Sequence, residues 1–166
     1  MTLTLSEHTK LESEMNFLKS KGVPFAMATV VRTVDATSAK PGSKALLDLD
    51  GNILMGWVGG GCARGAVGKA ARAAIKTGEP QFISLRPQEL LESEGVVTGE
   101  LRDGVRFTRN GCPSKGTMDV FVEPELYLEQ IDDFYDQIVM ADIDVFEAVS
   151  ESKDEEDTDE SIIFFF

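Results

Sequence analysis

Apolar positions recur with a helical period near the start of the chain. Within residues 6–21, Leu11, Met15 and Leu18 fall on one face of a helix. Ser6 stands where an N-cap hydroxyl is expected, just before the periodic residues. We therefore predict an amphipathic first helix with Ser6 as its cap.

The next two apolar segments have the composition of strands. Phe25–Val34 is almost wholly apolar and rich in β-branched residues, which is typical of a strand buried on both faces. Residues 45–59 are divided by Asp50, Gly51 and Asn52, the strongest turn signal in the chain, and this predicts a hairpin of two strands. Met55 and Trp57 lie within the second of them and are expected in the core.

After the hairpin, helical and strand patterns alternate. A helix is predicted from about Cys62 to Thr77, because Gly78 and Pro80 stop the pattern. Strands interleaved with helices favour an α/β fold, a layered domain with a mixed β-sheet flanked by helices. The remaining predicted elements are a strand at 81–85, a short helix at 86–95 and strands at 104–109 and 117–124.

The C-terminal part differs in composition from everything before it. Residues 125–149 combine helical apolar spacing with many carboxylates, which predicts an acidic amphipathic helix. Residues 150–166 are dominated by charge that opposes the formation of a packed core, and we predict a disordered acidic tail there. The expected organisation is one domain over residues 1–124, followed by the helix and the tail.

The net charge of −13 is unevenly distributed along the chain. Residues 1–120 carry 15 basic and 13 acidic side chains, whereas residues 121–166 carry one basic and 16 acidic side chains. The first part is nearly neutral and is compatible with an anionic ligand. The acidic C-terminal part repels nucleic acid at long range, so we expect no nucleic-acid partner.

Other features of the sequence favour a cytoplasmic protein. No run of about 18 apolar residues is present to span a membrane, and the N-terminus lacks the pattern of a secretory leader. Cys62 and Cys112 are the two cysteines. Thiols are kept reduced in the cytoplasm, so a structural disulfide between them is not expected.

The segment GWVGGGC places three glycines and a cysteine at the start of the predicted second helix. Backbone N–H groups at a helix start bind anions, and Gly59, Gly60 and Gly61 allow a ligand to approach them. Cys62 falls in the first turn, where the helix dipole and a nearby base such as Arg64 favour a thiolate. The segment matches neither standard nucleotide-binding loop. Tight packing of the turn is the alternative explanation for the glycines.

Two further segments are candidates for the same site. Cys112 lies in a second glycine-flanked turn, RNGCPSKG, before the last predicted strand. In the loop SAKPGSK, Lys40 and Lys44 flank a turn that contains Gly42, and Ser38 and Ser43 add hydroxyl groups. An ordinary solvated loop and a buried, inert thiol are the alternatives.

Established catalytic constellations find little support in the sequence. His8 is the single histidine and lies in the first predicted helix, which argues against a histidine-based triad or zinc site. Four aspartates are possible acids or bases, but their spacing selects no pair among them. They are Asp48, Asp50, Asp103 and Asp119.

Taken in order, GWVGGGC, CPSKGT and the strand that ends in VEP resemble the XdhC and CoxI family, in particular its CoxI-like branch. The resemblance spans residues 24–124. It implies a maturation factor that binds the molybdenum cofactor and helps its sulfuration or its insertion into a molybdenum hydroxylase. The implied partners are the hydroxylase apoenzyme, a sulfur donor protein and a separate Rossmann-domain chain.

The resemblance also implies roles for the candidate residues. Gly59, Gly60 and Gly61 would receive the phosphate or pterin edge of the molybdenum cofactor. The two cysteines would face molybdenum or its dithiolene as soft ligands, and two lysines would neutralise the anion. The implied cofactor-binding set is Ser38, Lys40, Gly42, Lys44, Gly59, Gly60, Gly61, Cys62, Arg64 and Cys112.

The chain departs from the family pattern at two points. By this resemblance, Lys115 stands where the branch usually has glycine, and the family's second, Rossmann-like domain is not expected within these residues. The sequence leaves two alternatives to a cofactor chaperone: a thiol-dependent enzyme or oxidoreductase subunit, and an acidic protein-interaction module. The oligomeric state also stays open, with a homodimer among the alternatives.

Overall fold

The computed structural model describes residues 4–125, which form one mixed sheet of seven strands with three helices. This confirms the predicted α/β class and the mixed sheet. In chain order the elements are α1 (Leu5–Ser20), β1 (Phe25–Val34), β2 (Lys44–Leu47), β3 (Ile53–Gly56), α2 (Gly61–Thr77), β4 (Gln81–Arg86), α3 (Gln88–Ser93), β5 (Leu101–Arg102), β6 (Val105–Arg109) and β7 (Thr117–Glu125).

The strands are arranged in the order β3-β2-β1-β7-β4-β6-β5. Only β4 and β6 pair in parallel; the other neighbours within residues 4–125 are antiparallel. β7, the last strand along the chain, lies at the centre of the sheet between β1 and β4. The two outer groups of strands are therefore joined only through it.

The first helix begins two residues earlier than the sequence indicated. Thr4, not Ser6, is the N-cap, and it forms a capping box with Glu7 in which each side chain accepts a hydrogen bond from the backbone of the other residue. The prediction of Ser6 as the cap was wrong because Ser6 lies within the first turn. Hydrogen bonds from Thr4 lower the pKa of the Glu7 carboxyl.

Helices cover both faces of the sheet. α2 packs on one face, where Val67, Ala71 and Ala74 meet alternate residues of the central strands such as Val120. On the opposite face, α1 buries Leu11 and Leu18 against Phe25 and Leu46. α3 covers the far end of that same face, with Leu91 packed against Phe107.

β1 has the predicted bounds, Phe25–Val34, but its burial is uneven. The residues up to Val30 are mostly buried, whereas Val31 and Val34 are 45% and 41% exposed. The register shifts between Val30 and Arg32, where β1 bulges against β7. The prediction of burial on both faces was therefore wrong for the second half of the strand.

The sequence analysis missed the short strand β5. It forms a tight hairpin with β6 through Asp103 and Gly104, which both have positive φ, 52° and 79°. An Asp-Gly pair is a standard signal for this kind of turn. The signal was present in the sequence, but the two-residue strand before it is too short to show an alternating pattern.

A backbone-to-backbone contact fixes α2 against the β2–β3 turn. A Cβ atom on Gly51 would lie 2.4 Å from the carbonyl oxygen of Gly68, and one on Gly68 would lie 2.6 Å from the carbonyl oxygen of Gly51. Arg72 adds a hydrogen bond of 2.8 Å from its guanidinium to the carbonyl of Asp50. The turn and the helix can approach this closely only because both positions are glycine.

A row of polar side chains crosses the face of the sheet opposite α2. The buried Asp119 carboxylate accepts hydrogen bonds from Arg32 at 2.6 Å and from the Ser84 hydroxyl at 2.5 Å. Arg86 donates in turn to Ser84 and pairs with Glu94. Asp119, one of the four candidate aspartates, is thus held within a structural network.

Part of the predicted organisation falls outside the described residues. Glu125, predicted to begin the acidic helix, is the last residue of β7. The rest of that helix and the acidic tail of residues 150–166 are not among residues 4–125. Within the described range, no helix has the length and apolar character needed to cross a membrane.

The glycine contact predicts opposite effects of the same substitution at two positions of α2. Gly68→Ala should lower the free energy of unfolding by about 1–3 kcal/mol, because the new methyl group overpacks against Gly51. Gly65→Ala should raise it by about 0.5–1 kcal/mol, because a Cβ there meets nothing within 4 Å and alanine is the better helix former. Urea denaturation followed by circular dichroism measures both; stabilisation by Gly68→Ala would contradict the contact.

Candidate functional site

A cavity of about 100 Å³ lies at the N-terminal end of α2. Its walls come from three places that are distant in sequence: the loop after β1, the first turn of α2, and the loop between β6 and β7. The ends of β4 and β7 form its floor. The lining residues are Thr37, Ser38, Gly60, Gly61, Cys62, Ala63, Leu85, Asn110, Cys112, Pro113, Ser114 and Met118.

The three consecutive glycines have different roles. Gly59 has a φ of 119°, and a Cβ there would lie 2.9 Å from the Cβ of Ala63, so glycine is required by the fold of the turn. Cβ atoms on Gly60 and Gly61 would meet nothing within 4 Å. Packing within the described residues therefore does not require glycine at these two positions. Their missing side chains leave open space at the start of the helix.

The start of α2 leaves backbone donors available. Gly60 is the N-cap and provides no side-chain acceptor for the first turn, which also contains no acidic residue. The Gly60 N–H itself donates to the Ser38 hydroxyl at 3.2 Å. The N–H groups of the first helical residues, Gly61, Cys62 and Ala63, have no acceptor inside the helix, so an anion or a polar ligand can bind them.

Both cysteines line this cavity as free thiols. Cys62 is exposed, and its Sγ lies 3.5 Å from the position that a Cβ would take on Gly111, the residue before Cys112. Cys112 is half-buried. The structure thus brings together two residues that are 50 positions apart in the sequence.

Cys112 lies in a turn that stabilises its thiolate. Hydrogen bonds from the Ser114 hydroxyl and then from the Ser114 backbone N–H lower the pKa of the Cys112 thiol. Asn110 orders the turn from the other side, because its side-chain oxygen accepts the Cys112 N–H at 3.0 Å and its amide donates to the Gly116 carbonyl at 2.6 Å. The turn around Cys112 therefore favours the charged form of its sulfur.

Comparison with known proteins agrees with the resemblance seen in the sequence. Residues 18–86 match the model of the XdhC and CoxI family. This part of the chain is an XdhC and CoxI family domain. The match includes the glycines and Cys62 but ends before the loop that carries Cys112.

The chain was also compared with curated proteins and with solved structures. None of the curated proteins matches the chain significantly. Among solved structures, the crystal structure of a xanthine dehydrogenase from Bacillus halodurans aligns with a TM-score of 0.46 and 24% sequence identity. That alignment covers 71% of this chain and 31% of the other, so the chain spans less than a third of the length of that protein.

Lys115 has a backbone conformation that favours glycine. Its φ is 54°, and its N–H donates to the Cys112 carbonyl at 3.1 Å to close the turn. Its ammonium pairs with Glu89 at 2.7 Å, which raises the pKa of Lys115 and lowers that of Glu89. The side chain therefore bonds to α3 and is not one of the residues that line the cavity.

Four of the predicted cofactor ligands are not lining residues of the cavity. Lys40, Gly42 and Lys44 belong to a turn beside the cavity and are not among its lining residues. Arg64 points to the indole ring of Trp57, 5.4 Å from the ring centre. These four residues remain predicted cofactor ligands without a place in the cavity wall. Trp57 is 36% exposed, so its predicted core position was wrong.

The sequence analysis missed several residues of the cavity. Asn110 and Ser114 flank Cys112 and had a detectable signal, because Asx and Ser residues commonly organise turns. Gly116 does not line the cavity but was also missed: a Cβ there would clash with the Ala36 carbonyl oxygen, where the two loops meet. Leu85 and Met118 could not be recognised as cavity residues, because the apolar pattern of a strand does not show which of its side chains line a cavity.

Replacing Ser114 should change the reactivity of Cys112 in a pH-dependent manner. In a Cys62→Ser background, Cys112 is the only thiol in the chain. We expect its alkylation rate to rise at a lower pH than that of an ordinary thiol, whose pKa is about 8.5. Ser114→Ala should move this midpoint upward, toward the ordinary value, because two hydrogen bonds to the thiolate are reduced to one. Iodoacetamide kinetics between about pH 6 and 10 measure the shift, and identical profiles would contradict the role of Ser114.

Proposed function

We propose that the domain is a maturation factor for a molybdenum hydroxylase and that it binds the molybdenum cofactor transiently at the start of α2. One observation carries the proposal: two free thiols and an uncapped helix N-terminus line the same cavity. The XdhC and CoxI family domain over residues 18–86 supports the link to this class of enzyme.

The donor set of the cavity suits a soft metal that carries its own sulfur ligands. Thiolates are preferred by soft transition metals. Cys62 and Cys112 provide two such ligands, fewer than the four of a closed structural zinc site. Within residues 4–125, no group of three or more acidic, histidine or cysteine residues is arranged to hold a metal ion. A metal held by these two thiols would therefore need further ligands from outside the protein. In the molybdenum cofactor, the dithiolene sulfurs would supply such ligands.

The backbone donors of α2 suit the anionic part of the same ligand. The N–H groups of Gly61, Cys62 and Ala63 lie at the positive end of the helix dipole. The open space at Gly60 and Gly61 allows a ligand to approach them. When bound, the cofactor carries the redox-active metal that the client hydroxylase needs, while this chain supplies the thiols, the amide donors and the Ser38 hydroxyl.

The size of the cavity limits how much of the ligand it can enclose. Sites for drug-sized molecules typically have volumes of about 300–1,000 Å³, whereas this cavity has about 100 Å³. We therefore infer that it takes only part of the cofactor, with the metal end against the thiols, and that the rest of the ligand extends outside. Shallow binding of this kind suits a carrier that must release its cargo to the apoenzyme.

A thiol-dependent enzyme is the second candidate function. The turn around Cys112 stabilises a thiolate, which is the property of a nucleophile as well as of a metal ligand. A carrier binds one cofactor per chain and does not change it, whereas an enzyme turns over many substrate molecules. The same distinction applies if a separate Rossmann-domain chain or a sulfur donor protein acts together with this one.

Binding of the molybdenum cofactor tests the proposal directly. Purified protein mixed anaerobically with the cofactor should retain it with micromolar or better affinity, measured by molybdenum content and pterin fluorescence. Cys62→Ala and Cys112→Ala should each weaken binding by roughly tenfold or more, about 1.4 kcal/mol. Equal affinity of both variants and the unmodified chain would remove the thiols from the site.

A glycine substitution separates binding from folding. Gly61→Ala should leave the fold intact, because a Cβ there meets nothing within 4 Å, yet it adds a methyl group to a residue that lines the cavity. Gly65→Ala adds the same group one turn further along α2, outside the cavity, and is the matched control. We expect weaker cofactor binding only for Gly61→Ala, and equal affinities would contradict a ligand at the helix start.

A further inference from the structure

We propose that Cys62 and Cys112 form a dithiol–disulfide pair, which reacts with low-molecular-weight disulfides and closes a bond across the cavity at the start of α2. The sequence alone argued against a structural disulfide between these residues. The proposed bond is instead a reversible disulfide. It is inferred from the positions of the two thiols in the structure.

The two sulfurs share one small space. Both residues line the same cavity of about 100 Å³ and both are free thiols. The Cys62 sulfur is 3.5 Å from the Cβ position of Gly111, which directly precedes Cys112 in the chain. A disulfide joins residues whose Cα atoms are about 4.4–6.8 Å apart. The Cys62 sulfur thus lies beside the residue that precedes Cys112, and the proposal requires the two Cα atoms to come within this range.

The surroundings of the pair leave room for the bond to form. Gly111 has no side chain, so no Cβ occupies the position 3.5 Å from the Cys62 sulfur. The cavity itself lies between the first turn of α2 and the turn that holds Cys112. Cys62 is exposed, so a small disulfide from solution can reach the pair. The bond would therefore close across the cavity that both residues line.

The reaction is two consecutive thiol–disulfide exchanges. One cysteine, as its thiolate, attacks a sulfur of oxidised glutathione; a protein–glutathione disulfide forms and one glutathione thiolate leaves. The second cysteine then attacks the protein sulfur of that mixed disulfide. The Cys62–Cys112 bond forms, and a second glutathione leaves. The two protein thiols are oxidised to a disulfide, and one oxidised glutathione is reduced to two glutathione molecules.

Oxidation would consume the groups that the proposed cargo needs. This consequence rests on the proposed function, because the same two thiols would contact the metal end of the cofactor. A chain with the Cys62–Cys112 bond has no thiolate in the cavity and should not hold the cofactor. Reduction would restore the site, so the redox state of the pair would control loading.

Counting released glutathione tests the pair. The reduced full-length chain treated with oxidised glutathione should release two glutathione molecules per chain, lose both alkylatable thiols and gain no glutathione mass. Cys62→Ser and Cys112→Ser should each release one glutathione and retain one, as shown by intact mass spectrometry. Circular dichroism confirms that the variants are folded. Accumulation of mixed disulfides on both cysteines of the unmodified chain, or of disulfide-linked dimers, would overturn the proposal.

Unfolding provides the matched control for geometry. In urea, the two cysteines are separated by a long flexible segment, so the ratio of internal disulfide to mixed disulfide should fall by roughly tenfold or more from its folded value. An unchanged ratio would mean that the fold does not bring the thiols together, and it would overturn the proposal. Cofactor binding by the reduced chain is measured separately. If the internal disulfide forms but neither redox state binds the cofactor, the proposed function fails while the thiol pair stands.

Discussion

The packing of α2 across the sheet determines where the candidate site is formed. Reciprocal contacts between Gly51 and Gly68 fix the middle of the helix against the β2–β3 turn, closer than any pair of side chains would permit. With that point fixed, the first turn of α2 lies over the ends of β4 and β7, where Leu85 and Met118 form the cavity floor. The direction of the helix also sends its unpaired N–H groups, not its carbonyl groups, into that cavity.

The sequence predicted most of the elements because local signals marked their ends. The apolar run Phe25–Val34 lies between a proline and an aspartate, and the strand β1 has the same bounds. The hairpin around Asp50 and the helix after Gly60 were likewise marked by turn residues. Burial was harder to predict: the bulge at Val30 and Arg32 depends on pairing with β7, about 90 residues away, and no local pattern shows it.

The candidate site was predicted in part. The glycines and both cysteines were recognised because small residues and thiols stand out beside a strand end. Their meeting in one cavity depends on the sheet order, which the sequence did not reveal. Spacing also does not show which way a loop side chain points. Lys40 and Lys44 were therefore assigned to the same anion as Cys62, although they are not among the residues lining the cavity.

The position of β7 has a consequence for how the chain acquires its structure. This strand is the last of the described sheet to leave the ribosome, yet it occupies the middle. Until Thr117–Glu125 has been synthesised, β1 and β4 both lack the strand that pairs with them at the centre of the sheet. The family match ends at Arg86 and therefore does not include the strand that unites them. A fragment cut at that point would carry the matched sequence but would lack the strand with which both β1 and β4 pair.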